Sequence, residues 1–166
     1  MLSLSQKVSL VLVAMMLGLP VAGTAGRDLH RLWHDRCAAC HGHSGDFARE
    51  FLSVSNGDLQ GRHHVDDLRE FLKNHYPPDN EVDAIYSMLL AQANAPPRFK
   101  EECSRCHETA AGLVRDTLLF RDGVLVSRKT GHPVRRFLDH HRKLRSDHVE
   151  FYLTLLTRVA KEVYRP

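Results

Sequence analysis

The chain has 166 residues, 43% hydrophobic and 26% charged, a balance that fits one ordinary domain or two very small ones and excludes a large multidomain enzyme. Aromatic residues make up only 7%, so the core must come from aliphatic side chains or from something that is not protein. A formal net charge of +3 is too small to argue for nucleic-acid binding, whereas 12 His beside 4 Cys in two close pairs point to metal or cofactor ligation.

Residues 1–25 read as a signal peptide. Lys7 is the only early charge, an apolar run follows from Val8 and is broken by Pro20, and Ala22, Gly23, Thr24 and Ala25 are small. Cleavage after Ala25 puts Gly23 and Ala25 at the small-residue positions. The alternative is an uncleaved anchor, since the stretch from Val8 to Gly26 is charge-free and nearly long enough to span. Either way the rest of the chain is exported and read as periplasmic, meeting a membrane only if the N-terminal segment is retained.

A first unit, 26–96, opens with a short helix carrying Leu29, Leu32 and Trp33 on one side, followed by Cys37-Ala-Ala-Cys40-His41. Asn56-Gly57 is a hairpin-turn dipeptide. Val65, Leu68, Phe71, Leu72 and His75 lie at helical spacing. A last helix, with Asp79 as its N-cap, carries Val82, Ile85, Tyr86, Leu89 and Leu90. Gln92 to Pro97 reads as a linker.

A second unit, 97–166, repeats the series. Phe99 stands for Trp33, and Cys103-Ser-Arg-Cys106-His107 is the second motif, 66 residues after the first. Leu118-Leu119-Phe120 and Val124-Leu125-Val126 flank Asp122-Gly123, so a hairpin reads more clearly here than in the first unit. Val134, Phe137, Leu138 and His141 form the next stripe. Ser146 caps a last helix with His148, Phe151, Tyr152, Leu155 and Leu156. At the 66-residue offset, 15 of the 55 positions from Cys37 to Ala91 are identical, where chance gives about three. The chain is a tandem duplication of a mainly α unit with a short β-hairpin, and its apolar stripes read as core.

Two Cys three apart lie on one turn of helix, where both sulfurs reach the vinyl groups of one haem. The following His then lies under the ring, so Cys-x-x-Cys-His is the attachment signature of c-type haem. Four Cys on one zinc, or disulfides in an oxidising compartment, are the alternatives, and neither explains the His after each pair. A unit of about 66 residues is near the lower limit for a stable core, a shortage that a porphyrin would make good.

On these two motifs and the helical units around them, the sequence resembles the dihaem c-type cytochromes. The resemblance implies two tandem cytochrome-c-like units and two covalently bound haem c groups, one on Cys37 and Cys40, the other on Cys103 and Cys106. His41 and His107 would be the proximal iron ligands. The implied task is electron transfer with periplasmic or membrane-bound redox proteins, not catalysis.

The second axial ligand departs from the common pattern. Past residue 25 the only Met is Met88, whose counterpart is Thr154, so Met does not serve both irons. His75 and His141 each lie 34 residues after a proximal His and end an apolar stripe. Alternatives are surface His at helix C-termini, Met88 for the first iron, and the unmatched His63, His64, His132, His140 and His148, with His140 the nearest competitor.

Charge is divided. Residues 27–96 hold 7 Lys+Arg and 11 Asp+Glu, and residues 97–166 hold 15 and 9. Arg135-Arg136 and Arg142-Lys143-x-Arg145 bracket His141. Solvated faces and haem-propionate counter-charges are one reading, and a dipolar carrier steered onto an acidic partner is the other. Rival functions are a haem-based gas sensor, a redox-enzyme subunit of the nitrate-reductase dihaem type with a labile sixth ligand, and a structural zinc module.

Overall fold

Asp28 starts the first helix by accepting the backbone N–H groups of His30 at 2.9 Å and Arg31 at 3.0 Å. That helix, α1 (Leu29–Arg36), buries Leu29, Leu32 and Trp33. In the computed structural model, which describes residues 26–62, 67–75, 79–142 and 144–165, it leads into a single turn, α2 (Ala38–His41), and then α3 (Ser44–Phe51). Strands β1 (Leu52–Ser55) and β2 (Asp58–Gly61), helix α4 (Leu68–Lys73), a 3-10 turn (Asp79–Glu81) and α5 (Val82–Ala93) complete the first half. The second half runs α6 (Arg98–Cys103), α7 (Ala110–Thr117), β3 (Leu118–Arg121), β4 (Val124–Ser127), α8 (Val134–Leu138) and α9 (Ser146–Val163). With 59% helix and 13% strand among the described residues, the fold is mainly α with two antiparallel hairpins.

The two halves repeat each other in backbone detail. Helices α3 and α7 begin and end 66 residues apart, and each runs directly into a hairpin. The registers match, Leu52 opposite Gly61 and Leu118 opposite Ser127. After each hairpin the chain returns to the helix: Arg62 N–H donates to the Phe51 carbonyl at 3.0 Å, and Arg128 N–H to that of Thr117 at 2.8 Å. The same two arginines explain their own retention. Arg62 Nη2 donates to the Arg49 carbonyl at 3.0 Å and Arg128 Nε to the Arg115 carbonyl at 3.2 Å, a cation on the last carbonyls of each helix. Both turns need positive φ at two residues, supplied by Asn56 (53°) with Gly57 (86°) and by Asp122 (50°) with Gly123 (76°).

There are two cores. The first gathers Leu29, Leu32, Trp33, Leu52, Leu59, Leu72, Ile85, Tyr86, Met88 and Leu89 among others, and the second draws on Ala111 to Val163. The halves meet through ion pairs of opposite sign: Asp28 with Arg115 at 2.6 Å, Asp46 with Lys100 at 2.8 Å, and Glu81 with Arg165. His30 Nε2 and the Glu162 carboxylate share a hydrogen bond at 2.8 Å across the same contact.

Several expectations change. Phe71 and Phe137 are not core but 43% and 58% exposed. The caps also differ: α5 begins at Val82 after the 3-10 turn, with Glu81 at its N-cap, and Arg145 precedes α9, whose first residue is Ser146. Helix α5 continues through Ala93, so the connection is only Asn94 to Pro97. The buried face of α9 is Val149, Tyr152, Leu156, Val159, Ala160 and Val163, about one residue around the helix from the face its repeat alignment gives. Helices α3 and α7 had no sequence expectation. Residues 1–25, His63, His64 and Val65 lie outside the described residues, among which no helix is long and apolar enough to cross a membrane.

Candidate functional site

Each Cys-x-x-Cys-His segment is one turn closed from its first cysteine. Cys40 N–H and His41 N–H donate to the Cys37 carbonyl at 3.1 and 2.9 Å, and Cys106 and His107 donate to the Cys103 carbonyl at the same distances. Neither pair is disulfide-bonded; Cys40 and Cys106 are exposed and Cys37 and Cys103 half-buried. Burial pushes the Cys37 and Cys103 thiols above their usual pKa, against the opposing charge of Arg36 at the former and the Tyr152 hydroxyl at the latter.

His75 and His141 lie just past the ends of α4 and α8. His75 N–H donates to the Leu72 carbonyl and His141 N–H to that of Leu138, both at 3.1 Å. One turn earlier on the same face, Phe71 stacks on His75 and Phe137 packs against His141 at a 30° tilt, each with centroids 4.6 Å apart. This is the role of the two exposed phenylalanines, and the Phe-Leu-x-x-His pattern retained in both copies was its sequence signal.

The fold brings His41 to His75 and His107 to His141. The ring centroids of His41 and His75 are 6.0 Å apart, and those of His107 and His141 are 6.4 Å apart. An imidazole nitrogen lies about 1.15 Å from its ring centroid and a metal–imidazole bond is about 2.0 Å, so two imidazoles facing across one metal ion have centroids about 6.3 Å apart. Both pairs match that separation. The rings in each pair are tilted by 59° and 47°, an angle that is free because each ring turns about its metal–nitrogen axis. Burial, and then the neighbouring His75, hold the His41 pKa below the usual imidazole value. Burial, His107 and Arg142 do the same for His141. Both effects favour the neutral ring that a metal needs.

Other candidates are engaged elsewhere. His140 Nδ1 lies 3.0 Å from the Arg136 carbonyl, and His148 lies 3.6 Å from Glu102 and 3.8 Å from Asp147. His132 is exposed. Met88 is 1% exposed and packed in the first core. Among the described residues no three His, Cys, Asp or Glu side chains converge as a protein-only metal site, whereas a structural zinc takes four such ligands.

The surroundings suit a large apolar group. Phe51 is 45% exposed and stacks on Phe47 at 5.5 Å, and Phe47 meets His41 edge-on at 4.7 Å. Trp33 Nε1 donates to the Gly42 carbonyl at 2.9 Å, which ties the end of the first motif to α1. Phe99 cannot make that bond in the second half. Thus two imidazoles at metal-spanning separation, two thiols on the adjoining turn and exposed aromatic surface occur twice, a donor set and cradle that fit a covalently held haem. Comparisons of the chain with protein-family models, curated proteins and solved structures find no match.

Proposed function

We propose that the chain is an exported dihaem c-type cytochrome, built of two tandem haem units, that passes electrons between periplasmic or membrane-bound redox proteins. The observation that carries this reading is the pair of histidine couples, His41 with His75 and His107 with His141, at 6.0 and 6.4 Å. When bound, each haem supplies a one-electron ferrous–ferric couple.

The chain's own residues bind, orient and shield. Cys37 and Cys40 anchor one group, Cys103 and Cys106 the other. His41 and His107 on the motif turns, together with His75 and His141, would hold the irons. Phe71 and Phe137 fix the distal ring planes by packing against them. Trp33, Phe47 and Phe51 keep water from the first site. Two imidazoles, without the Met of Met/His ligation, set a low reduction potential. The likeness of the two couples favours a carrier over a gas sensor, which needs one readily vacated position.

The test is expression with a c-type maturation system, followed by intact mass and acid–acetone extraction. The mass should exceed that of the polypeptide by two haems, and the colour should stay with the protein. A colourless protein, or a mass that fits zinc, would overturn the reading.

A further inference from the structure

Asn56, Asp122 and Arg142 are the non-glycine residues with positive φ among those described. The first two are hairpin turns. Arg142, at 54°, is not. A left-handed conformation is unfavourable for a non-glycine L-residue, so the surrounding structure must hold it there. Arg142 directly follows His141, and its Nη1 donates to the Glu102 carbonyl at 3.3 Å, one residue before Cys103. The side chain therefore runs from the distal histidine to the helix that carries the proximal motif.

It brings a positive charge to the residue that precedes Cys103. The Glu102 carboxylate is engaged by Arg98 at 3.0 Å and Tyr152 at 2.7 Å, with His148 at 3.6 Å. By sequence, the counterpart of Arg142 in the first half is the uncharged Tyr76.

We infer that Arg142 is a positioning residue of the second site, which locks the loop after His141 onto the helix ending at Cys103 and holds that site's reduction potential above the first site's. This rests on the haem reading. Oxidised iron carries one more positive charge than reduced iron, so a fixed cation nearby disfavours the oxidised form and raises the potential. With one electron per molecule, the first iron is ferric and the second ferrous.

Potentiometric titration of the holoprotein, followed by its visible spectrum, tests the inference. Wild type should show two steps. In R142Q the upper step should move to lower potential while the lower step and the low-spin spectrum stay. R142K should keep the upper step near its wild-type position. R142G accepts the positive φ without strain and lacks the charge, so it should behave as R142Q even if R142Q matures poorly. A purely structural role would make R142K as damaging as R142Q and would show in haem retention. Unmoved steps in R142Q and R142G, or movement of the lower step, would overturn the inference while two covalent haems by mass leave the haem reading intact. Absence of those haems from wild type would overturn both.

Discussion

His75 and His141 show how far single residues were legible. Their retention at the end of an apolar stripe in both copies marked them, and the fold sets His75 beside His41 and His141 beside His107. Helix phase separates His141 from its neighbour, because His140 turns to the Arg136 carbonyl. His141→Ala should therefore make one of the two haems high-spin and reactive with carbon monoxide, and His140→Ala should leave both low-spin, as read from the visible spectrum. The support that Trp33 gives the first motif was not legible. Trp33 read as core, yet its indole N–H also holds the motif, and no spacing rule announces a contact across nine residues. Trp33→Phe should cost about 1–2 kcal/mol by urea titration, for the lost hydrogen bond and smaller ring. His43 was missed as well. It caps α3 by accepting the Gly45 N–H at 3.2 Å, a bond only a neutral nitrogen accepts. Partial burial holds its pKa below the usual imidazole value, opposed by Asp46 and reinforced by His30, Arg49 and Lys100. The unfolded chain thus takes the proton first. The stabilisation is complete above the unfolded value, about 6.5, and is lost as pH falls through the folded one. The urea midpoint should fall between about pH 7.5 and pH 5 by more in wild type than in His43→Thr, since Thr109 makes the equivalent cap without titrating.

At the scale of elements, turn chemistry was the most readable feature. Asn56-Gly57 and Asp122-Gly123 announce both hairpins because few other residues accept two successive positive φ angles. A Cβ at Gly123 meets nothing within 4 Å, so Gly123→Ala should cost only backbone strain, about 1 kcal/mol in thermal or urea unfolding. Helices α3 and α7 escaped notice because each is eight residues long and flows into a strand without a breaking residue. The last helices were found, but their packing was not. Alignment pairs Val82 with His148, whereas the second core takes Val149. Sequence identity fixes the order of elements in a duplication, while the turn of a helix about its axis depends on the side chains it meets. Tyr86 shows this: its hydroxyl accepts the Leu59 N–H at 2.8 Å, while that of Tyr152 donates to Glu102 at 2.7 Å.

Across the whole molecule, the split of charge acquires an internal use. Asp28, Asp46 and Glu81 of the acidic half face Arg115, Lys100 and Arg165 of the basic half, so part of the contrast joins the halves and is withdrawn from any steering field. The sequence showed the imbalance but not which charges face inward, a matter of tertiary contact alone. Glu81 is 6% exposed, and removing its partner would leave a buried carboxylate uncompensated. Arg165→Ala should destabilise the protein by about 2–3 kcal/mol in urea, and adding Glu81→Gln should recover part of that loss. Near-infrared magnetic circular dichroism of the fully oxidised holoprotein reads the proposed ligation of both irons most directly. All intensity should lie in the band of low-spin haem with two imidazole ligands. A methionine–iron charge-transfer band from half of the haem, which would point to Met88, or a high-spin signal from either site, would contradict it.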